Sequence, residues 1–95
     1  MVDLAHTNRA VIDRELDRAE RSWGRLPQVV RSIDTWPEDE ALDFLNEWSL
    51  EEDNLAVLRE RAARSELSPE QQARYQHVLE IVSRHRPLVA RLLAD

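Results

Sequence analysis

His77 and Glu80 are the best candidates for metal chemistry in this sequence. On a helix, a spacing of three residues puts the imidazole and the carboxylate on one face, where they could supply two metal ligands. His85 follows on the same stretch, and a site could be completed by dimerisation or by Asp43 and Glu47 from elsewhere in the chain. A pair of this kind is more often a solvated surface pair, so we expect no metal and no other cofactor.

Other catalytic patterns are missing from the sequence. It contains no Gly-rich phosphate loop, no nucleophile elbow and no HExxH zinc motif. Helix bundles that hold two iron ions use the order Glu-x-x-His, whereas this chain has His-x-x-Glu, and only once. A helical chain of 95 residues also offers little concavity for a substrate. We therefore expect a protein that is not an enzyme.

The strongest local feature is the stretch from residue 37 to residue 58, which holds eight carboxylates and no basic residue. Asp39, Asp43, Glu47 and Glu51 follow one another at intervals of four, and we call these four residues the acidic ladder. Like charges at this spacing cost a helix about 0.2–0.5 kcal/mol per pair. Either a cationic partner offsets this cost, or salt screens the charges enough for the face to be tolerated. Trp36 and Trp48 flank the ladder and could anchor an interface, although tryptophans at such positions more often pack in a core.

All 13 basic residues are arginine and none is lysine, which is typical of a GC-rich, bacterial codon usage. Four of them lie within about 60° of one another on the first predicted helix, and we call them the arginine row. The row could be a solvated face, or it could pair with the acidic ladder of a second copy. In the tail, Leu88 and Leu92 make an apolar surface that also needs a partner, in this chain or in another. The arginine row comprises Arg14, Arg18, Arg21 and Arg25.

The pattern of apolar residues predicts an all-α fold, a small bundle of about four to five helices in a single domain over 1–95, and we expect a homodimer. Thr7 or Asn8 is expected to cap the first helix, and Gly24 to end it in a left-handed conformation. A second, short helix is expected over 27–36, since Pro27 suits a first turn. Strands are not expected, because the β-branched and aromatic residues do not alternate with period two.

The second half of the chain carries three further signals. Ser49 and Glu52 form a capping-box pattern that predicts a break between two acidic helices. Ser68, Pro69 and Gln71 predict the start of the last helix, and Pro87 predicts a kink or restart within it. The LSPEQxARY start and RPLxxxLL end of 67–93 resemble short helical tails in small bacterial proteins, a resemblance that implies no particular function.

Bulk composition narrows the function classes. The net charge of −6 disfavours direct nucleic-acid binding, and no apolar run is long enough for a membrane span. The absence of cysteine and of a signal-peptide pattern favours the cytoplasm. We predict a non-catalytic binding or regulatory module, such as an antitoxin or adaptor, whose acidic surface engages a basic protein. The alternatives are a self-assembling helical protein, a nucleic-acid mimic and a metal-dependent helical enzyme.

Overall fold

The computed structural model describes residues 4–94, with side chains from residue 8 onward, and this part of the chain is all-helical without strands. The fold has three long helices: α1 over Leu4–Gly24, α3 over Glu38–Ala63 and α4 over Pro69–Leu93. A short helix, α2 over Leu26–Ser32, and a 3₁₀ turn over Ile33–Thr35 connect α1 to α3. Only three of the described helices are long enough to form the bundle, so the predicted bundle of four to five helices is not confirmed; the interruptions expected at Ser49 and Pro87 do not occur. None of the described helices is long and apolar enough to cross a membrane.

Helix α1 differs from expectation at both ends. It begins at Leu4, so Thr7 and Asn8 lie within it rather than capping it. Gly24 is its last residue and does not have a positive φ, so the predicted left-handed ending is wrong. The chain stays helical there because the amide of Arg25 still donates to the carbonyl of Arg21, at 3.1 Å, before α2 starts at Leu26.

Helix α3 runs through Ser49 without a break, so the predicted interruption is wrong. The helix ends instead at Ala63, where Ser65 adopts a left-handed conformation with φ of 60°. Two hydrogen bonds close this ending, from the amide of Glu66 to the carbonyl of Arg61 and from Ser65 to Ala62. This is the Schellman arrangement, which satisfies carbonyls that a helix end leaves unpaired.

Helix α4 begins as the sequence predicts. The hydroxyl of Ser68 accepts a hydrogen bond from the amide of Gln71, and the side chain of Gln71 accepts one from the amide of Ser68. This reciprocal capping box satisfies two donors that would otherwise be unpaired. Helix α4 then runs through Pro87 to Leu93, so the expected restart at the proline does not occur.

The core is built from one side of each long helix. Helix α1 lies at its centre and packs mainly on α4 and secondly on α3, while α2 packs on α4. Trp23 is fully buried near the end of α1, and its ring meets that of Trp48 at 5.0 Å in an edge-to-face arrangement. The other fully buried large side chains are Ile12, Leu16, Leu26, Leu58 and Val78.

Ion pairs on both flanks of α1 tie the helices together. On the α3 side, Arg61 donates two parallel hydrogen bonds to Glu15, at 3.0 and 3.2 Å. On the α4 side, Arg74 lies among three carboxylates of α1. Its hydrogen bond to Asp17, together with the charges of Asp17 and Glu20, raises the pKa of Arg74 despite partial burial. The Arg61–Glu15 pair is about three-quarters covered on both sides, so it is less screened than the contacts of Arg74 to the half-exposed Asp13 and Asp17.

Gln71 links the start of α4 to α1. Its side chain is only 3% exposed, and its amide nitrogen donates to the carbonyl of Arg9 at 3.0 Å and to a carboxylate oxygen of Asp13 at 2.9 Å. Its amide oxygen is already used by the capping box with Ser68. One buried polar side chain is thereby fully hydrogen-bonded, which avoids the cost of burying an unpaired amide.

Candidate functional site

The first half of α3 is the least buried part of the long helices in the described chain. From Glu38 to Glu47 no side chain is buried, and Trp48 is the first residue of α3 that is. At 100° per residue, Trp48, Leu55 and Leu58 define the side of α3 that faces the core. The opposite side faces outward along the whole helix. Because the inner side of α3 packs on the core, only the outer side and its two edges can contact another molecule.

The acidic ladder does not stay on one side of α3. Residues four apart advance by about 40° around a helix, so the ladder turns from the outer side at Asp39 toward α1 at Glu51. Glu51 accordingly reaches Arg18 of α1, at 3.3 Å, and its carboxylate is mostly covered. On the other edge of α3, Glu52 meets Arg86 of α4 at 2.7 Å. Two of the eight acids of 37–58 are thus neutralised within the chain.

The remaining six acids of this segment have no cation within ion-pair distance among residues 8–94. All six are exposed. Those in the first turn of α3 are favoured by the helix dipole, whereas Asp43, Glu47 and Asp53 lie beyond its reach. The unpaired acids are Glu38, Asp39, Glu40, Asp43, Glu47 and Asp53.

Apolar side chains lie between these acids on the outer side of α3. Leu42 and Leu50 are 51% and 52% exposed, and Val57 is 40% exposed. Helical spacing puts the three within about 80° of one another, and we call them the outer stripe. Sequence reasoning missed them as functional candidates. They could have been found from the sequence, because helical spacing puts these apolar residues on the side of α3 opposite the face that contains Phe44 and Trp48.

The two tryptophans that flank the ladder have different surroundings. Trp48 is 5% exposed and packs on Trp23 in the core, so in this conformation its ring is not available to a partner. Trp36 is half-buried. Its indole N–H donates to the hydroxyl of Ser32 at 3.2 Å, and its ring meets Phe44 edge-to-face at 5.7 Å. Trp36 thus remains partly accessible beside the first turn of α3.

The arginine row is partly engaged within the chain. Arg18 contacts Glu51, and the guanidinium of Arg25 lies over the ring of Phe44 at 5.5 Å. By local spacing Asp17 would pair with Arg21, four residues later on the same face of α1, but in the fold it contacts Arg74 instead. Arg14 and Arg21 lie exposed on α1 and have no ion pair among residues 8–94. The row and the ladder therefore meet along the α1–α3 seam of a single chain.

The histidine candidates do not form a cluster of metal ligands in the described part of the chain. His77 and Glu80 are 63% and 71% exposed, with Nδ1 and Oε2 4.0 Å apart. No group of three or more potential ligands occurs in the described part of the chain. His85 lies apart, and its Nδ1 donates to the carbonyl of Trp23 at 2.7 Å. This bond satisfies one of the last carbonyls of α1, a structural role that the sequence did not reveal. His6 lies outside the residues whose side chains are described.

The apolar tail is largely covered within the chain. Val89 is buried, and Leu88 and Leu92 are half-buried against the core, whereas Leu93 is 56% exposed. Leu92 also lines an open cleft of about 340 Å³ between the 3₁₀ turn, the first half of α3 and the end of α4. We call this feature the cleft. Its other lining residues are Val30, Ile33, Asp34, Ala41, Leu45 and Arg91.

Comparisons with protein-family models, with curated proteins and with solved structures returned no match for this chain. The function is therefore inferred from the residues of the chain itself.

Proposed function

We propose that this protein is a non-catalytic binding module whose α3 engages the basic surface of another protein. The observation that carries the proposal is the outer side of α3, where unpaired carboxylates alternate with exposed leucines. Asp39 and Asp43 lie beside Leu42 and Leu50, and no cation of residues 8–94 reaches either acid. Arg or Lys side chains of a partner would neutralise the acids, while its apolar side chains would cover the leucines.

The exposed area and the radius of gyration are both larger than those of a compact monomer, as expected for a chain that has a surface free for a partner. A compact monomer of 11.1 kDa exposes about 5,700 Å². This chain exposes 6679 Å², an excess similar to the roughly 800 Å² that one protein buries in a standard interface. The Cα radius of gyration is 15.3 Å, against about 12 Å for a compact chain of this length. A partner that lies along α3 would cover part of this excess surface.

Self-assembly through the arginine row and the acidic ladder is the main alternative. Arg18 and Glu51 already pair within one chain, so a second copy would have to compete with that contact or use Arg14 and Arg21. Two α3 helices from different copies would bring like charges together, which disfavours direct pairing of the outer sides. The predicted homodimer, the antitoxin or adaptor role and the cytoplasmic location stay predictions.

The test is a capture experiment from the lysate of the source organism with three immobilised versions of the chain. The wild type is compared with Asp43→Arg/Glu47→Arg and with Glu60→Arg/Glu80→Arg, a control that changes the charge equally at other exposed positions. We expect the wild type and the control to retain the same basic protein, and the Asp43/Glu47 variant to lose it. Circular dichroism should show equal helicity in all three.

Two results would contradict the proposal. Retention of the same protein by all three versions would mean that the outer side of α3 is not the binding surface. Capture of nothing except the chain itself would favour self-assembly, which light scattering can then check, since an arginine-to-carboxylate dimer should dissociate as salt is raised. A retained protein that binds DNA, and that the chain displaces from DNA, would identify the chain as a nucleic-acid mimic.

A further inference from the structure

The cleft lies at the end of the bundle where α2, α3 and α4 meet. Val30 and Ile33 form one wall, Ala41 and Leu45 a second, and Leu92 a third. All five side chains are half-buried, so each still exposes apolar surface to the cleft. Its volume of about 340 Å³ lies at the low end of the range of 300–1,000 Å³ for pockets that take a small ligand. It has room for one bulky side chain.

The apolar surface of the cleft continues onto the exterior at Leu42. This residue lies three residues before Leu45 and about 60° away around α3. Its side chain is 51% exposed. Since Leu42 also belongs to the outer stripe, apolar surface runs from the outer side of α3 to the mouth of the cleft.

The charges at the mouth favour a cationic occupant. Asp34 lies on one wall, and Glu38 falls on the cleft side of α3, three residues before Ala41. Arg91 on α4 is the one guanidinium among the residues that line the cleft. Beyond Glu38, Asp39 extends the negative surface onto the outer side of α3, beside the outer stripe.

We propose that the cleft receives one bulky apolar side chain from a basic amphipathic helix, which lies along Leu42 with its cations on the acids around the mouth. This proposal rests on the proposed function and adds the mode of recognition: a helix anchored in a pocket rather than a purely electrostatic contact. Anchors of this kind, seated in a desolvated pocket and surrounded by weaker contacts, contribute most of the affinity of many interfaces.

The test uses a displayed library of 20-residue helical peptides and the full chain as bait. One face of each peptide is drawn from Arg, Glu and Ser, and the other from Ala, Leu, Phe and Trp, so that both charge and anchor are outcomes of the selection. Dissociation constants of the selected peptides are then measured against wild type, Ala41→Trp, which fills the cleft, and Leu45→Ser, which makes it polar. Ala63→Trp, an exposed position on the same helix, is the matched control.

We expect the selected peptides to be cationic and to carry one bulky apolar residue. Replacing that residue by alanine, or filling the cleft with Ala41→Trp, should weaken binding about tenfold or more, as expected for the loss of one buried side chain. Leu45→Ser should weaken binding in the same direction, and Ala63→Trp should change it less than twofold. Melting curves confirm that each variant is folded.

The two proposals fail in different ways. Cationic peptides that bind Ala41→Trp as well as wild type, yet lose affinity for Asp43→Arg/Glu47→Arg, would overturn the cleft proposal and leave the proposed function standing. Selected peptides that are not cationic, or whose binding does not respond to the Asp43/Glu47 change, would overturn both. Failure to select any peptide would overturn the cleft proposal alone, because the capture experiment tests the proposed function with whole proteins. If Ala41→Trp instead lowers the molar mass of the chain alone, the occupant is a second copy and the proposal is wrong.

Discussion

Two ends of the molecule treat their polar groups in opposite ways. Where α4 begins beside α1, Arg74 and Gln71 engage carboxylates and a carbonyl of the neighbouring helix, and both polar atoms of the Gln71 amide are hydrogen-bonded. Where α3 begins, Asp39 and Asp43 form no ion pair with any residue of 8–94, and about half of the surface of Leu42 is exposed to solvent. We call these the anchored end and the open end.

We infer from this difference that residues of the anchored end stabilise the fold, whereas residues of the open end act mainly in binding. At the anchored end, each polar group is held by several partners, so a change there should be felt in the free energy of unfolding. At the open end, the same residue types have few partners within the chain, so changes there should leave stability nearly constant and act on binding. The following predictions test that division, in order of decreasing effect.

The largest effect is expected for Gln71→Glu. The substitution replaces the amide nitrogen, which donates to Arg9 and Asp13, with a carboxylate oxygen that repels both acceptors in a buried position. We expect the free energy of unfolding to fall by about 3 kcal/mol at neutral pH, measured by urea denaturation. Gln72→Glu, the same change at the exposed neighbour, should alter it by less than about 0.5 kcal/mol. Equal effects at both positions would show that Gln71 has no special role.

A smaller effect is expected for Arg74→Met. The variant leaves the carboxylates of Asp13, Asp17 and Glu20 close together without their shared cation. We expect a loss of about 1 kcal/mol, allowing for the screening of partly exposed charges, and the loss should shrink in high salt. Arg84→Met serves as control, because Arg84 is exposed on the same helix and forms no ion pair among residues 8–94. If the control loses as much stability, the cluster around Arg74 contributes nothing specific.

The anchored end could be predicted only in part from the sequence. The capping box follows from local spacing, because Ser68 and Gln71 are three residues apart at a helix start. The bonds from Gln71 to Arg9 and Asp13 span about 60 residues, and no local pattern indicates which helix face will meet which. The same limit explains Asp17, whose partner by local spacing was Arg21 but whose partner in the fold is Arg74.

At the open end, the sequence identified the charge but not its geometry. The spacing of the acidic ladder is visible in the chain, yet the drift of about 40° per step decides that Glu51 meets Arg18 while Asp39 faces outward. The break predicted at Ser49 was wrong because a capping-box pattern also occurs inside continuous helices, where the core contacts of Trp48 and Leu55 hold the backbone. The cleft forms where separate elements of the chain approach one another, and no local sequence pattern indicates how they approach.

The smallest effect, and the sharpest test of the division within α3, comes from neutralising two pairs of acids. Asp43→Asn/Glu47→Gln removes like-charge neighbours that have no cation among residues 8–94, so stability should rise by a few tenths of a kcal/mol. Glu51→Gln/Glu52→Gln removes the contacts to Arg18 and Arg86 and should lower stability by about 0.5 kcal/mol. Both variants change the net charge equally, so a general charge effect would shift their melting temperatures alike. Opposite signs, converging in high salt, are the expected result, because only paired acids stabilise the fold while unpaired ones cost it stability until a partner binds.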